Sequence, residues 1–350
     1  MRLLARIATA AAGVLIGLGL AEALLSPWPP ALTSSWILAT RDRVRDPDLI
    51  YVNPRLERRS YYTVDPSLPT IVALGDSFTE GFPVDRARSY PSALRRMLAR
   101  RGQRTNVVSL GLGDSGPDQQ LRLFQRNVLE RGWIRPDVVV WQLYNNDAWD
   151  NALKSVYAIG AQGLEPVPAA RNWMYRRQLL FDRTPLPRWF KLHSNIFGYA
   201  LKSIEHWRLA QVPEAYAADP QGWGLEKIRL ELHALDELGK AHGFRSYYTV
   251  VPPQSSYANA SDCAGVVDGE ATLQKHAKLR AVVAAMPRYI DIDFGHDRAR
   301  SSCRRFYVDG ARDVSVFGNR HLNEAGYRLM ARLIARRLLD DGALASHRDG

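Results

Sequence analysis

The residue best placed to do chemistry is Ser77, in the stretch Ile71-Val72-Ala73-Leu74-Gly75-Asp76-Ser77-Phe78-Thr79-Glu80-Gly81. Four apolar residues read as a buried strand. Gly75, which lacks a Cβ, then permits a sharp turn. Ser77 falls just past the strand's carboxyl end, before a helical pattern begins. In an open parallel sheet that end is where ligands bind. A serine held there becomes a nucleophile if a base reaches its hydroxyl. Asp76 and Ser77 also suit a plain turn or helix cap, and the tetrapeptide alone leaves both readings open.

Two further stretches bear on the choice. Asn145-Asn146-Asp147 follows Val138-Val139-Val140-Trp141-Gln142-Leu143, a clear central strand, so Asn146 emerges at the same sheet edge as Ser77. His321-Leu322-Asn323-Glu324-Ala325-Gly326 precedes a helical pattern. Together the three blocks resemble, in order, those of the SGNH (GDSL-type) hydrolases, with Phe78 where the name-giving leucine stands. The resemblance spans residues 70 to 340. It places the fold far better than the substrate.

The resemblance implies roles. Ser77 is the nucleophile, and its backbone N–H donates to the oxyanion. His321 is the base that takes the serine proton and returns it to the leaving group. The other seven of the eight histidines lack the surrounding block. Asn146 supplies a side-chain N–H to the developing charge, with adjacent Asn145 as the alternative. The family has a glycine two residues earlier, where this chain has Tyr144. Asp147 reads as a loop-orienting residue. The remaining oxyanion donor falls in Ser109-Leu110-Gly111-Leu112-Gly113-Asp114-Ser115-Gly116. Gly113 is the choice there, although counting from the strand points to Asp114.

The sharpest departure concerns the acid. The family carries an aspartate three residues before the histidine, and here that position is Gly318. Asp313, or the more distant Asp309, could fold back to complete a triad. A backbone carbonyl could instead orient His321, leaving a Ser–His dyad. A chain with little or no turnover is the third option, since disabling the acid of a serine triad costs about 10⁴-fold.

These residues need a frame. From residue 70 the pattern alternates. Strands are predicted at 71–74, 106–110, 137–143, 245–251 and 289–292, and helices at 89–100, 118–130, 225–242, 270–286 and 324–339. On the third helix Leu225, Ile228, Leu232, Leu235 and Leu238 share a face. Such alternation means an α/β parallel sheet between helical layers. The resemblance implies a flavodoxin-like three-layer sandwich with five strands. The hydrolase domain is predicted over 70–345. Residues 151–224 break its alternation with Pro166, Pro168, Pro185, Pro187, Pro213 and Pro220 and with Trp173, Trp189, Trp207 and Trp223. They read as an inserted cap, whose aromatics either line a sugar- or acyl-binding groove or pack the insertion on the body. Residues 26–69 read as a spacer packing on the domain near Tyr51, Tyr61 and Tyr62.

Ahead of these, Arg2 and Arg6 precede an apolar run from Ile7 to Leu25. At ~1.5 Å per residue this run approaches the ~30 Å of a bilayer core. The basic amino end predicts a cytoplasmic N-terminus and an exported body. Residues 1–25 are either a membrane anchor or, with Ala21-Glu22-Ala23 as a small-x-small site, a cleaved signal. Export makes a Cys263–Cys303 disulfide the expected state of the chain's two cysteines. The net charge of +11 fits arginines spread over the surface, and no nucleic-acid motif accompanies it. Asp291, Asp293, His296 and Asp297 read as an acidic turn after the last strand. No metal constellation, P-loop or dinucleotide fingerprint is present, so no cofactor is expected. The resulting expectation is an extracytoplasmic serine esterase acting on an acyl ester of an envelope glycan or lipid. An O-acyltransferase using the same site and a non-catalytic envelope protein on the same fold are the alternatives.

Overall fold

The computed structural model describes residues 2–25, 43–172, 175–176, 194, 214–256, 269–292, 303–307 and 321–344. Its first helix, α1, runs Arg2–Leu25. Val14, Leu15, Ile16, Leu18 and Leu20 on it are all exposed. Among the described residues no helix is long and apolar enough to cross a membrane.

The spacer is more ordered than its composition suggests. Val44–Asp46 (β1) and Ile50–Val52 (β2) pair antiparallel, and 3₁₀ turns follow at Pro54–Glu57 and Arg59–Tyr62. Leu49, Tyr51, Leu56 and Tyr62 are buried in the core of the domain, so the segment is part of the packed body. Arg126 closes it with a buried guanidinium that donates to both carboxylate oxygens of Asp46, at 2.8 and 2.9 Å.

The central sheet begins at Thr70–Gly75 (β3). The short helix Ser77–Glu80 (α2) and Tyr90–Arg100 (α3) lead to Asn106–Gly111 (β4). Pro117–Phe124 (α4) widens into a π-helical turn over Gln125–Glu130. Then come Val138–Leu143 (β5) and Asp147–Leu153 (α5). The hairpin Tyr157–Gly160 (β6) and Gly163–Pro166 (β7) opens the predicted insertion, and Glu214–Ala218 (α6) lies near its end. Pro220–His242 (α7) starts five residues earlier than its apolar period predicts. The Asp219 side chain caps it by accepting from Gly222 N–H, and Pro220 suits the first turn. Arg245–Val250 (β8), Gly269–Ala284 (α8), Tyr289–Ile290 (β9) and Glu324–Asp340 (α9) complete the domain.

The five strands lie in the order β4-β3-β5-β8-β9, all parallel. Counted along the chain this is the 2-1-3-4-5 arrangement of flavodoxin-like sheets. Successive side chains face opposite layers, as strand geometry requires. Val72, Leu74, Val139 and Trp141 enter the core beneath α4, α7 and α8. Ile71, Ala73, Val138 and Val140 enter the core beneath α3 and α9. Covered on both faces, these strands read as continuous apolar runs, which is why they stood out in the sequence.

Candidate active site

The strand order reverses between β3 and β5, which pair in register with Leu74 opposite Trp141. Loops leaving their carboxyl ends therefore emerge side by side, at the switch point where such sheets bind ligands. Ser77 follows one strand and Asn146 the other. The turn into Ser77 needs Gly75. A Cβ there would meet Thr79 Oγ1 at 2.2 Å and Gln142 Oε1 at 2.6 Å, far inside contact distance. Asp76 caps α2, its Oδ1 accepting from Phe78 N–H at 2.9 Å. Ser77 is thus the first residue of a helix and its N–H has no helical acceptor.

His321 arrives from the far end of the chain. Asn323 holds it in place through both ends of its side chain. Its Oδ1 accepts from Ala325 and Gly326 N–H, capping α9, while its Nδ2 donates to the carbonyls of Arg304 and Tyr307 at 3.0 and 2.9 Å. Gly326 allows the close approach, because a Cβ there would lie 2.3 Å from the Phe306 carbonyl. The result is a contact across 244 positions: Ser77 Oγ lies 2.7 Å from His321 Nε2.

The imidazole sits between rings. Phe78 stacks on it at 4.8 Å and Phe82 meets it edge-on at 5.0 Å. Phe78 also packs against Tyr144 at 4.6 Å. The two departures from the sequence pattern, Phe78 for leucine and Tyr144 for glycine, are therefore in contact with each other. Read singly in the sequence, neither reveals this. Asp313, Asp309 and Gly318 lie outside the described residues.

Asn146 Nδ2 donates to Asp150 Oδ2 at 2.5 Å. A carboxylate only accepts, so this bond fixes which way the carboxamide faces and leaves its second N–H for another acceptor. Asp150 in turn receives Lys154 Nζ at 2.7 Å, and the same ammonium reaches Asp114 Oδ1 at 2.8 Å. Burial pushes the Asp150 carboxyl upward and Lys154 pulls it back. Asn145 points elsewhere, donating to the Thr272 carbonyl on α8 at 3.4 Å. Asp147 accepts Tyr144 N–H at 2.7 Å and so shapes the loop.

Gly113 lies against the nucleophile. A Cβ built on it would be 3.5 Å from Ser77 Cβ. Its N–H, however, donates to Glu80 Oε2 at 3.1 Å, and Arg55 holds that carboxylate through Oε1 at 2.9 Å. Asp114, the alternative by counting, takes a left-handed φ of 58°. Its carbonyl accepts from Tyr51 and Lys154. Glu80, Asp150 and Lys154 carry no sequence signal of their own, because their partners are brought together only by the fold.

Three carboxyls crowd beneath the site. Asp76, Asp147 and Asp150 are all buried. Burial, reinforced by Asp150, raises Asp76 to about 7. Burial and then Asp76 push Asp147 well above the usual carboxylate range. Among the described residues no group of side chains could hold a metal ion. Of the expected disulfide, Cys303 is buried in the α3–α9 core, and Cys263 lies outside the described residues.

No family model matches the chain, and no curated protein does. The fold and site define an α/β sandwich with a serine–histidine pair at the switch point. Solved structures similar to it include a lipase/acylhydrolase from Enterococcus faecalis, at 16% identity over 78% of this chain and 97% of that one, with a TM-score of 0.42. A GDSL-like lipase from Bacteroides thetaiotaomicron is similar at 15% identity over 82% and 99%, with a TM-score of 0.41. A family 3 carbohydrate esterase from Clostridium thermocellum is similar at 15% over 79% and 99%, also with a TM-score of 0.41.

Proposed function

We propose that the chain is an SGNH-type serine esterase that cleaves acyl esters of an envelope glycan or lipid through an acyl-enzyme. The observation that carries this reading is the 2.7 Å contact between Ser77 Oγ and His321 Nε2. In the attack step His321 takes the hydroxyl proton as Oγ bonds to the ester carbonyl carbon. The carbonyl oxygen gains negative charge, received by the Ser77 N–H and the second N–H of Asn146. Collapse expels the alcohol, which takes the proton from His321. Water then repeats the sequence on the acyl-enzyme and releases the acid. Gly113 joins the oxyanion donors once the Glu80 carboxylate moves off its N–H. Asp313 is the proposed partner of His321. The test is p-nitrophenyl acetate turnover by wild type and Ser77→Ala. Full turnover by the variant ends the proposal.

The same proposal places the catalytic body outside the cytoplasm, delivered by the amino-terminal segment as an export signal or tether. Arg2 and Arg6 before the apolar run support this, as do the exposed Val14, Leu15, Ile16, Leu18 and Leu20. Export would in turn favour a Cys263–Cys303 bridge. Alkylation of the denatured, unreduced protein followed by mass measurement tests the bridge. Two labelled thiols would refute it.

A further inference from the structure

The positive charge of the chain is not spread evenly. Arg95, Arg96 and Arg100 are exposed on α3, and Arg101 and Arg104 on the turn after it. On α9 Arg328, Arg332 and Arg336 recur every fourth residue, all exposed, and so form one row along the helix. The opposite sides of both helices, with Leu94 and Leu98 on α3 and Met330 and Ile334 on α9, are buried in one core. The two rows therefore share the outer face of one helical layer. Both helices start near the site: Tyr90 Oη lies 3.2 Å from Thr79 Oγ1, and Glu324 follows His321 by three positions. Acids do little to offset this face. Residues 90–104 contain none, and α9 has only Glu324 and Asp340, at its two ends. They reach Arg328 and Arg336 at 3.5 and 3.7 Å, and Glu324 also meets Arg88 at 3.1 Å, all in exposed pairs that water screens. Among the described residues Arg95, Arg100, Arg101 and Arg332 have no carboxylate partner.

We infer that this face docks on the surface of a bilayer containing anionic phospholipids. The inference goes beyond the esterase reading and does not depend on it. Clustered like charge attracts the opposite charge over several ångströms, and each guanidinium offers a planar fork of donors that fits a headgroup phosphate. Two helices side by side offer a flat strip, about 25 Å long on α9, that suits a planar partner. The same chain carries a lipid-seeking element, since Val14, Leu15, Ile16, Leu18 and Leu20 on α1 are exposed. A nucleic acid fits less well. The aromatic residues of these helices, Tyr90 and Tyr327, are fully buried, so no ring is available for bases to stack on. Docking in this way leaves the sheet edge that carries Ser77 open and beside the headgroups.

The test is arginine footprinting of the full-length protein with phenylglyoxal, read residue by residue by peptide mass spectrometry. It compares vesicles of phosphatidylcholine alone with vesicles of phosphatidylcholine mixed with phosphatidylglycerol. The anionic vesicles should slow modification of Arg95, Arg100, Arg101 and Arg332 at least about threefold, and added salt should restore it. Arg229, exposed on α7 in the opposite layer, should react equally on both. Because α1 is present in every sample, any hold it has on lipid cancels. Combining Arg95→Gln, Arg100→Gln, Arg101→Gln and Arg332→Gln should weaken partition onto the anionic vesicles by at least about 10²-fold, at roughly fivefold for each charge near the surface. Partition onto the neutral vesicles should not change. The melting temperature should move by less than about 2 °C, since only exposed side chains are altered. Equal footprints on the two vesicle types, or a folded variant that partitions like wild type, overturn the inference. Protection of the same arginines by single-stranded DNA and not by anionic vesicles overturns it in favour of a nucleic acid. If the variant fails to fold, the wild-type footprint decides alone.

Discussion

Asp76 is the residue before the nucleophile and one of three buried carboxyls, and it should make the protein less stable as pH rises. Its carboxyl titrates at about 7 in the folded state, raised from 3.8 by burial. Between those values the folded chain holds a proton that the unfolded chain has released. Stability therefore falls with rising pH across that window. At about 1.4 kcal/mol for each tenfold change in proton affinity, the full effect amounts to about 4 kcal/mol. Part is lost below pH 5, and about 2–3 kcal/mol remains to be lost between pH 5 and pH 8. Asp76→Asn keeps an oxygen to cap Phe78 N–H and removes the titration. Urea unfolding of the full chain, followed by tryptophan fluorescence, should show wild type losing that amount between pH 5 and pH 8 relative to the variant. Parallel pH dependences for the two proteins would refute the reasoning.

Other variants probe the remaining contacts. Asn146→Ala should lower kcat by about 10²–10³-fold with little change in KM, as loss of one oxyanion donor does. Asp150→Ala, which frees the carboxamide to turn, should lower kcat by about tenfold, and an unchanged kcat would remove Asp150 from the account. Lys227 is fully buried and paired with buried Asp118 at 2.8 Å. Lys227→Ala leaves that carboxylate unpaired and should cost about 3–5 kcal/mol of unfolding free energy. Phe78→Leu restores the usual residue but removes the ring between Tyr144 and His321. We expect kcat to drop while the melting temperature falls by only a few degrees, since the change trims rather than empties the site.

Much of this molecule is legible in the sequence. The strands at 71–74 and 137–143 are buried on both faces, and that double burial wrote them as unbroken apolar runs. The helix at 324 announced itself through Asn323 and Gly326, a cap and a close approach that each demand a residue type. Boundaries failed where a cap outranked periodicity, as at Asp219, where α7 begins before its apolar stripe. The order of the spacer near Tyr51 has no local signal, because its short strands are held by distant partners, such as Arg126, eighty residues from Asp46. The site divided the same way. Ser77, Asn146 and His321 sit in blocks with their own local geometry. Glu80 on Gly113, Asp150 and Lys154 behind Asn146, and Phe78 against Tyr144 are pairings that only the folded sheet edge creates. Phe78 and Tyr144 were visible as departures, yet nothing in the linear order says that they touch.

Esterase chemistry at this site requires that His321 activate the Ser77 hydroxyl. Treating the full-length protein with a fluorophosphonate and locating the adduct by peptide mass spectrometry asks this directly. The contact predicts a single adduct on Ser77 that His321→Ala abolishes. An adduct elsewhere, or labelling of Ser77 at the same rate without the imidazole, would contradict it.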